Sequence, residues 1–249
     1  MTNFDQYSQY YDLLYIDKDY KTESAYVYHS LKNLNPSVSS LLELGCGSGN
    51  HAMHLTQNNL VITGIERSQM MVAEALNKNI QNFNPIIGDI THFELNETFD
   101  AVISLFHVVS YLTDNEALIS CFKSVHKHLN NNGLFLFDIW FTPTVYSQKP
   151  ETRIKRLEND VVSVVRIAES EINFESNVVN VSFEVHIQNK TTAEVKIINE
   201  IHPMRHFSIP ELKLLASLTG FELIQTEEFL TSKQPSDTTW GVCVILQKI

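Results

Sequence analysis

Three glycines at alternate positions, Gly45, Gly47 and Gly49, follow a short apolar run in the stretch SLLELGCGSGNH. Glycine loses more conformational freedom on folding than any other residue, so this cluster indicates a tight turn or a backbone that a ligand approaches closely. Asn50 stands where a dinucleotide-binding GxGxxG loop has its third glycine, which disfavours a dehydrogenase. No Gly-Lys-Ser/Thr follows, which excludes a P-loop.

Two carboxylates end the next predicted strands. Glu66 closes VITGIE, about twenty residues after the glycine loop, where a carboxylate can accept hydrogen bonds from both hydroxyls of a ribose. Asp89, in GDI, can accept from an adenine amino group while the backbone amide of Ile90 meets the ring. The glycine loop and these two acids predict an adenosine pocket that makes no provision for a pyrophosphate.

Alternating apolar strands and amphipathic helices must position these residues. The predicted strands are SLLELG, LVITGIE, NPIIGD, FDAVISLF and NGLFLFDIW, and the helices between them are NHAMHLTQN, SQMMVAEALNK and DNEALISCFKSVHKHLN. Ser68 is the expected N-cap of the second of these helices, Asp114 or Asn115 begins the third, and a further helix over roughly 20–34 precedes the first strand. This order predicts an α/β fold with a parallel sheet whose strand ends, at the carboxyl side, hold the ligand.

A different pattern begins after the fifth strand. In VVNVSFEVHIQ, apolar residues alternate with polar ones, which is typical of a half-exposed antiparallel strand. We therefore expect residues 141–207 to form an antiparallel insertion that covers the acceptor site. Residues 1–140 and 208–249 would form the main domain, which ends in the helix IPELKLLASLTG and the strands FELIQTEEF and WGVCVILQKI.

The charge and composition of the chain limit the classes of partner that it can bind. The formal net charge of −11 disfavours nucleic acid and anionic membranes, which attract positive surface. No signal peptide or membrane-spanning run is evident, and three widely spaced cysteines indicate reduced thiols, so we expect a cytoplasmic location. No metal site is expected, because the histidine pairs in the sequence lack further ligands at a suitable spacing.

In order and spacing, LLELGCGSGNHAMHL, VITGIERSQMMVAEA, GDITHFEL and FDAVISLFHVVSYL resemble the motifs of class I S-adenosylmethionine-dependent methyltransferases. The resemblance implies a Rossmann-like, seven-stranded sheet whose last strand is antiparallel. It also implies an enzyme with S-adenosylmethionine as its methyl donor and no metal. The cofactor residues it implies are Tyr11, Tyr20, Gly45, Gly47, Gly49, Glu66, Asp89, Ile90 and Leu105.

A narrower resemblance joins YYDLLY and KDY near the start, FDIWFTPTV, and NEIHPMRHFSIPELKLLASLTGF to the N,N-dimethyltransferases of nucleotide-linked amino deoxysugars. It implies a small acceptor amine on a sugar carried by thymidine diphosphate. Tyr11 and Tyr20 would contact the methionine part of the cofactor, and Tyr111 would lie beside the amine, with His107 facing the same mouth. The substrate residues that it implies are Trp140, Arg153, Arg205 and His206, with Arg156 as a further cation for the diphosphate.

Other interpretations stay open at this point. A hydroxyl acceptor would need firmer deprotonation than an amine, and His107 is then the better candidate for the base. His107 and Tyr111 could equally be wall or core residues. The chain could also methylate an unrelated metabolite at oxygen or nitrogen, or bind the cofactor without turnover, and a homodimer is a further expectation.

Overall fold

The computed structural model describes residues 14–249, so the predicted contact of Tyr11 lies outside the described residues. The helices are α1 (Tyr20–Leu34), α2 (Asn50–Leu55), α3 (Gln69–Asn77), α4 (Asn115–His128), α5 (Thr142–Gln148) and α6 (Ile209–Thr219), with short 3₁₀ helices at Thr56–Asn58 and Val108–Tyr111. The strands are β1 (Ser40–Leu44), β2 (Val61–Glu66), β3 (Phe83–Ile87), β4 (Phe99–Ser104), β5 (Leu129–Phe141), β6 (Arg153–Glu158), β7 (Val162–Asn173), β8 (Val178–Asn189), β9 (Val195–Phe207), β10 (Phe221–Glu228) and β11 (Gly241–Lys248).

Side chains at the N-termini of the helices set where several of them begin. The Ser68 hydroxyl accepts from the Met71 amide at 3.4 Å, and the Asp114 carboxylate accepts from the Ala117 amide at 2.8 Å. Each satisfies a backbone donor that has no partner inside the helix. The caps predicted at these positions are confirmed.

Seven strands form the main sheet, in the order β3-β2-β1-β4-β5-β11-β10. β1 to β5 are parallel to one another, and β11 runs antiparallel to both β5 and β10. Helices α4 and α6 pack on one face of this sheet, and α1 and α2 on the other. The predicted Rossmann-like fold with an antiparallel last strand is therefore confirmed.

The insertion is an antiparallel sheet of β6 to β9. On β8 the predicted alternation holds, because Val179, Val181, Val185 and Ile187 are buried towards the rest of the molecule. β9 joins the main sheet by parallel pairing at only two positions, Trp140 with His206 and Phe141 with Phe207. The division of the chain into domains at 141 and 207 stays a prediction.

The fifth strand begins earlier than predicted. β5 pairs with β4 from Leu129, and the register then shifts before pairing resumes at Leu134. Asn132, in the segment NNNG, has φ +58°, so this segment forms a bulge within the strand. The carboxyl end of β5 is unaffected and lies beside the end of β4.

None of the helices within residues 14–249 combines the length and the apolar character that a membrane span requires. Cys46, Cys121 and Cys243 are all buried and form no disulfide.

Candidate active site

The glycine loop lies between β1 and α2, and its three glycines differ in how much space surrounds them. All three have positive φ. A Cβ on Gly45 would lie 2.7 Å from both methyl groups of Val108, and one on Gly49 would lie 2.8 Å from the Phe83 ring. A Cβ on Gly47 would meet only the Met71 sulfur, at 3.7 Å. Gly45 and Gly49 thus permit close packing, whereas Gly47 keeps the ligand side of the loop open.

Glu66 fastens this loop to the end of β2. Its Oε2 accepts from the Gly47 amide at 3.1 Å, and its Oε1 accepts from the Ser68 amide at 2.8 Å. A carboxylate has about four acceptor sites, so each oxygen can still accept from one hydroxyl. The carboxylate, held beside an open glycine, therefore fits the two hydroxyls of a ribose.

Asp89 and Ile90 follow β3, at the neighbouring strand end. The Asp89 Oδ1 accepts from both the amide and the hydroxyl of Thr91, at 2.8 and 2.7 Å. Burial opposes ionisation, but these bonds outweigh it and hold the pKa of Asp89 below its usual value. Both bonds go to the Oδ1, so the Oδ2 of the ionised carboxylate can accept a hydrogen bond from an adenine amino group. Ile90 packs on the apolar cluster next to it, and Leu105, after β4, is buried.

The sequence did not predict a buried group of titratable side chains behind the loop. The His51 Nε2 lies 2.8 Å from the Glu23 carboxylate, and its Nδ1 lies 3.8 Å from the carboxyl group of Glu43. Lys18 pairs with Glu23 from the other side, and the Tyr20 ring packs edge-on against His51, 4.9 Å between centroids. The predicted cofactor contact of Tyr20 stays a prediction. These residues come from three separate segments, and no local pattern joins them.

His107 lies just after β4, where Phe106 and His107 both have positive φ. Its Nδ1 is 2.8 Å from the Asp138 Oδ2, and its backbone amide donates to the Oδ1 at 3.0 Å. Burial favours the neutral form of Asp138, but His107 and then Lys18 outweigh it and lower its pKa.

A cavity of about 370 Å³ opens beside this pair. Its lining includes Lys18, His107, Asp138, Phe229 and Trp240. The His107 side chain is 23% exposed, whereas Asp138 is buried behind it. A ligand in this cavity would therefore meet the imidazole first, with its orientation fixed by the carboxylate.

Tyr111 ends the 3₁₀ helix that also carries Val108, the residue packed on Gly45. Its hydroxyl lies 2.9 Å from the His202 Nδ1, and the His202 Nε2 lies 3.0 Å from the Glu200 Oε2. Burial raises the pKa of Tyr111, and the neighbouring Tyr15 and Glu200 add to this effect. The structure thus connects Tyr111 to the insertion, and the catalytic roles assigned to Tyr111 and His107 stay predictions.

The predicted substrate residues lie in different surroundings. Trp140 is the last but one residue of β5, and its ring lies 6.1 Å from those of His107 and Trp240. Arg153 is exposed on β6, as is Arg156. Arg205 pairs with Glu211 at 2.7 Å and donates to the Thr113 carbonyl at 3.3 Å.

His206 is fully buried, and its Nδ1 lies 2.9 Å from the Thr142 hydroxyl. Burial, followed by the charge of Arg205, lowers the pKa of His206 to about 4. His206 is therefore neutral near pH 7 and sits within the joint between β5 and β9. Its predicted substrate contact, like those of the other three, stays a prediction.

Two basic side chains of the insertion contact the segment that precedes α1. The Lys155 ammonium contacts the Asp17 carboxylate at 2.6 Å, and the Arg166 guanidinium bonds to the Tyr15 hydroxyl at 3.1 Å. Within residues 14–249, no group of three or more His, Cys, Asp or Glu side chains is arranged to hold a metal ion.

Comparison with known proteins identifies the family. A family model described as "Methyltransferase domain" matches residues 41–133. An uncharacterized methyltransferase of Bacillus cytotoxicus is 30% identical over 191 residues, which cover 72% of this chain and 89% of that protein. The chain belongs to the S-adenosylmethionine-dependent methyltransferases.

Two further comparisons concern one relative by sequence and one solved structure. It is 32% identical over 139 residues to the dTDP-3-amino-3,4,6-trideoxy-alpha-D-glucopyranose N,N-dimethyltransferase of Streptomyces venezuelae, and the match covers 55% of this chain and 58% of that enzyme. The crystal structure of an S-adenosylmethionine-dependent methyltransferase from Clostridium acetobutylicum matches at 22% identity with a TM-score of 0.81, over 98% of each chain. The sequence match thus spans little more than half of the Streptomyces enzyme, and the structural match shows the fold alone.

Proposed function

We propose that this methyltransferase transfers methyl groups from S-adenosylmethionine to the amine of a nucleotide-linked amino deoxysugar. The observation that supports the donor best is the Glu66 carboxylate, bonded to the Gly47 amide at the open side of the glycine loop. The named activity of the Streptomyces venezuelae relative supports the acceptor.

The donor-binding residues follow from the strand ends. Glu66 binds the ribose hydroxyls, Asp89 the adenine amino group and the Ile90 amide the ring, while Leu105 closes the apolar side. The glycine loop and Tyr20 hold the methionine part. When bound, S-adenosylmethionine supplies a methyl group on a positively charged sulfur, which a lone pair can attack in line.

The residues around the 370 Å³ cavity orient the acceptor. A neutral amine needs alignment with the methyl group more than it needs a strong base. Trp240 lines the cavity, and Trp140 packs edge-on against it, which makes this side apolar. Tyr111 packs in the same apolar cluster as both rings and directs the nitrogen. Lys155 and Arg166, on the face of the insertion that Tyr15 contacts, are further cations for an acidic substituent.

A hydroxyl acceptor is the second candidate, and the His107–Asp138 pair favours it. Asp138 lies 2.8 Å from the His107 Nδ1, which leaves the Nε2 to remove a proton in the cavity. This arrangement of carboxylate, imidazole and hydroxyl is what general-base catalysis requires.

The donor assignment is tested by calorimetric titration with S-adenosylhomocysteine. Glu66→Ala is expected to weaken binding by roughly tenfold or more, because two hydrogen bonds to a charged group are lost. Glu94→Ala, which removes an exposed carboxylate paired with Lys127, is the control and should bind like the wild type. Equal affinity of the Glu66 variant and the control would contradict the ribose assignment.

The acceptor is tested with two substrates that differ at the reacting group. The wild type is incubated with dTDP-3-amino-3,4,6-trideoxyglucose and, separately, with dTDP-glucose, and methylated products are counted by mass spectrometry. We expect one or two methyl groups on the amino sugar and none on dTDP-glucose. Methylation of dTDP-glucose alone would favour the hydroxyl acceptor, and methylation of neither would reject both sugar nucleotides.

A further inference from the structure

Three polar side chains form a continuous hydrogen-bonded row between the loop after β4 and the insertion. The Tyr111 hydroxyl lies 2.9 Å from the His202 Nδ1, and the His202 Nε2 lies 3.0 Å from the Glu200 Oε2. Glu200 and His202 alternate along β9, so both point to the same side of that strand. The row runs from the end of the 3₁₀ helix after β4 into the inserted sheet.

The row is shielded from water. The side chains of His202 and Glu200 are each only 4% exposed. The Phe183 ring lies 4.8 Å from the His202 ring, and the Arg166 guanidinium lies on Phe183 at a further 4.8 Å. Tyr15 and Arg67 are the other ionisable groups that influence Tyr111. A buried histidine between a carboxylate and a phenol has one consistent arrangement of hydrogens if it is neutral.

That arrangement follows from the chemistry of the groups. An ionised carboxylate only accepts, so the His202 Nε2 carries the hydrogen that Glu200 receives. The His202 Nδ1 then accepts from the Tyr111 hydroxyl. A phenol oxygen has two lone pairs, so the Tyr111 oxygen can also accept from an N–H group of a ligand. Burial raises the pKa of Tyr111, which keeps its proton in place before the reaction.

We propose that Tyr111, His202 and Glu200 form a relay that removes the proton of the methylated amine, with Tyr111 as the catalytic residue and His202 and Glu200 as positioning residues. The proposal rests on the proposed function. The amine forms the N–C bond as the C–S bond breaks, and the electron pair of that bond stays on sulfur. The resulting ammonium gives a proton to the Tyr111 oxygen, which passes its own proton to the His202 Nδ1.

The row holds the proton until the product leaves. His202 becomes an imidazolium ion beside the Glu200 carboxylate, which stabilises its charge, and the proton passes to solvent on product release. A second methyl transfer to the same nitrogen needs the same neutral amine, so the relay would restore the acceptor between two transfers.

Nitrogen NMR of protein with ¹⁵N-labelled histidine tests the relay without turnover. We expect the neutral form of His202 to carry its hydrogen on Nε2, with Nδ1 as an acceptor whose resonance moves in Tyr111→Phe. The His202→Gln variant assigns the signals. A hydrogen on Nδ1 of the neutral ring, or an Nδ1 resonance unchanged in Tyr111→Phe, would overturn the proposal.

Kinetics with dTDP-3-amino-3,4,6-trideoxyglucose give the second test. Tyr111→Phe and His202→Gln should each lower kcat roughly tenfold or more, with KM little changed, and the double variant should be no slower than either. Glu200→Gln should lower kcat less, since an amide oxygen can still accept from Nε2. The exposed pair of His186 and Glu184 on β8 supplies matched controls, and His186→Gln and Glu184→Gln should behave like the wild type.

The outcomes separate the relay from the proposed function. S-adenosylhomocysteine affinity, measured for every variant, shows that the fold is retained. A wild type that does not methylate the amine overturns the proposed acceptor, while the histidine resonances still report the row itself. A wild type that does so, with Tyr111→Phe equally fast, overturns the relay alone.

Discussion

Glu43 is a carboxyl group inside the apolar sheet, directly before the glycine loop. It is fully buried on β1, and its Oε2 has no hydrogen-bond partner among the described residues. Burial, followed by the charge of the Glu66 carboxylate, raises the pKa of Glu43 from 4.5 to about 8. The folded protein therefore holds a proton on Glu43 at neutral pH, which the unfolded chain does not.

This proton makes stability depend on pH. Between about pH 4.5 and 8 the folded state binds one more proton than the unfolded state at this group, so the contribution of Glu43 to stability falls as pH rises. Glu43→Gln removes this dependence. As pH rises across this range, the free energy of unfolding of the variant should increase relative to that of the wild type, by up to about 1.4 kcal/mol per pH unit.

Urea denaturation at a series of pH values measures the difference. Glu94→Gln is the control, because Lys127 lowers the pKa of that exposed carboxyl and its titration lies below this range. Parallel curves for wild type and Glu43→Gln between pH 5 and 8 would show that Glu43 is already ionised.

Single residues with a local signal were predictable from the sequence, whereas pairs were not. Gly45, Glu66 and Asp89 each stand at a strand end, where periodicity and spacing mark them. Tyr111 and His202 are separated by 91 positions, and Glu23 and His51 by 28. Such contacts depend on how whole elements pack, so no pattern within one segment specifies them.

At the scale of elements, the glycine loop and the 3₁₀ helix Val108–Tyr111 are packed without room for a side chain between them. A Cβ on Gly45 would lie 2.7 Å from both Val108 methyl groups, and Gly45 has φ +69°. Gly45→Ala should therefore lower the free energy of unfolding by about 2–4 kcal/mol, from overpacking and backbone strain together. Chemical denaturation followed by circular dichroism measures the loss.

Two further variants separate the clash from the strain. Gly47→Ala also places alanine at positive φ, but its nearest new contact would be 3.7 Å from the Met71 sulfur, so a loss of only about 1 kcal/mol is expected. Adding Val108→Ala to Gly45→Ala removes the two clashing methyl groups and should restore part of the stability. A double variant less stable than Gly45→Ala would show that the helix is not what excludes the side chain.

The sequence predicted the elements that have strong local signals. It did not give the full extent of those that depend on long-range strand pairing. A few adjacent residues are enough to predict the caps at Ser68 and Asp114 and the alternation on β8. The start of β5 has no such local signal, because Leu129 pairs with β4 on the far side of a bulge at the polar residues NNNG. β6 has a weak pattern, and its position is fixed by pairing with β7.

At the scale of the whole molecule, Tyr15 connects three parts of the structure. Its ring lies 4.9 Å from that of Phe106 after β4, and the Arg166 guanidinium of the insertion lies 5.6 Å from it. Lys155 of β6 lies 5.9 Å from the same ring. Tyr15→Ala should destabilise the protein by about 1–3 kcal/mol, because an aromatic anchor and its cation contacts are lost.

Hydrogen–deuterium exchange distinguishes this role from a general loss of stability. Tyr15→Ala should speed amide exchange both in β6 and β7 and in the segment around Phe106. Tyr28→Ala, which removes a partly buried tyrosine of α1, is the control and should act around α1 instead. Unchanged protection of β7 in Tyr15→Ala would mean that the insertion is held without this ring.

The two-position pairing of β9 with β5 also bears on how such enzymes diversify. The chain leaves the main sheet after Phe141 and returns at Phe207, and these two residues are direct neighbours across the ladder. A segment whose two ends are adjacent can be exchanged for one of another length or shape while the donor half keeps its own geometry. The joint at Phe141 and Phe207 is therefore a natural place to transplant an insertion between relatives and recombine acceptor preferences.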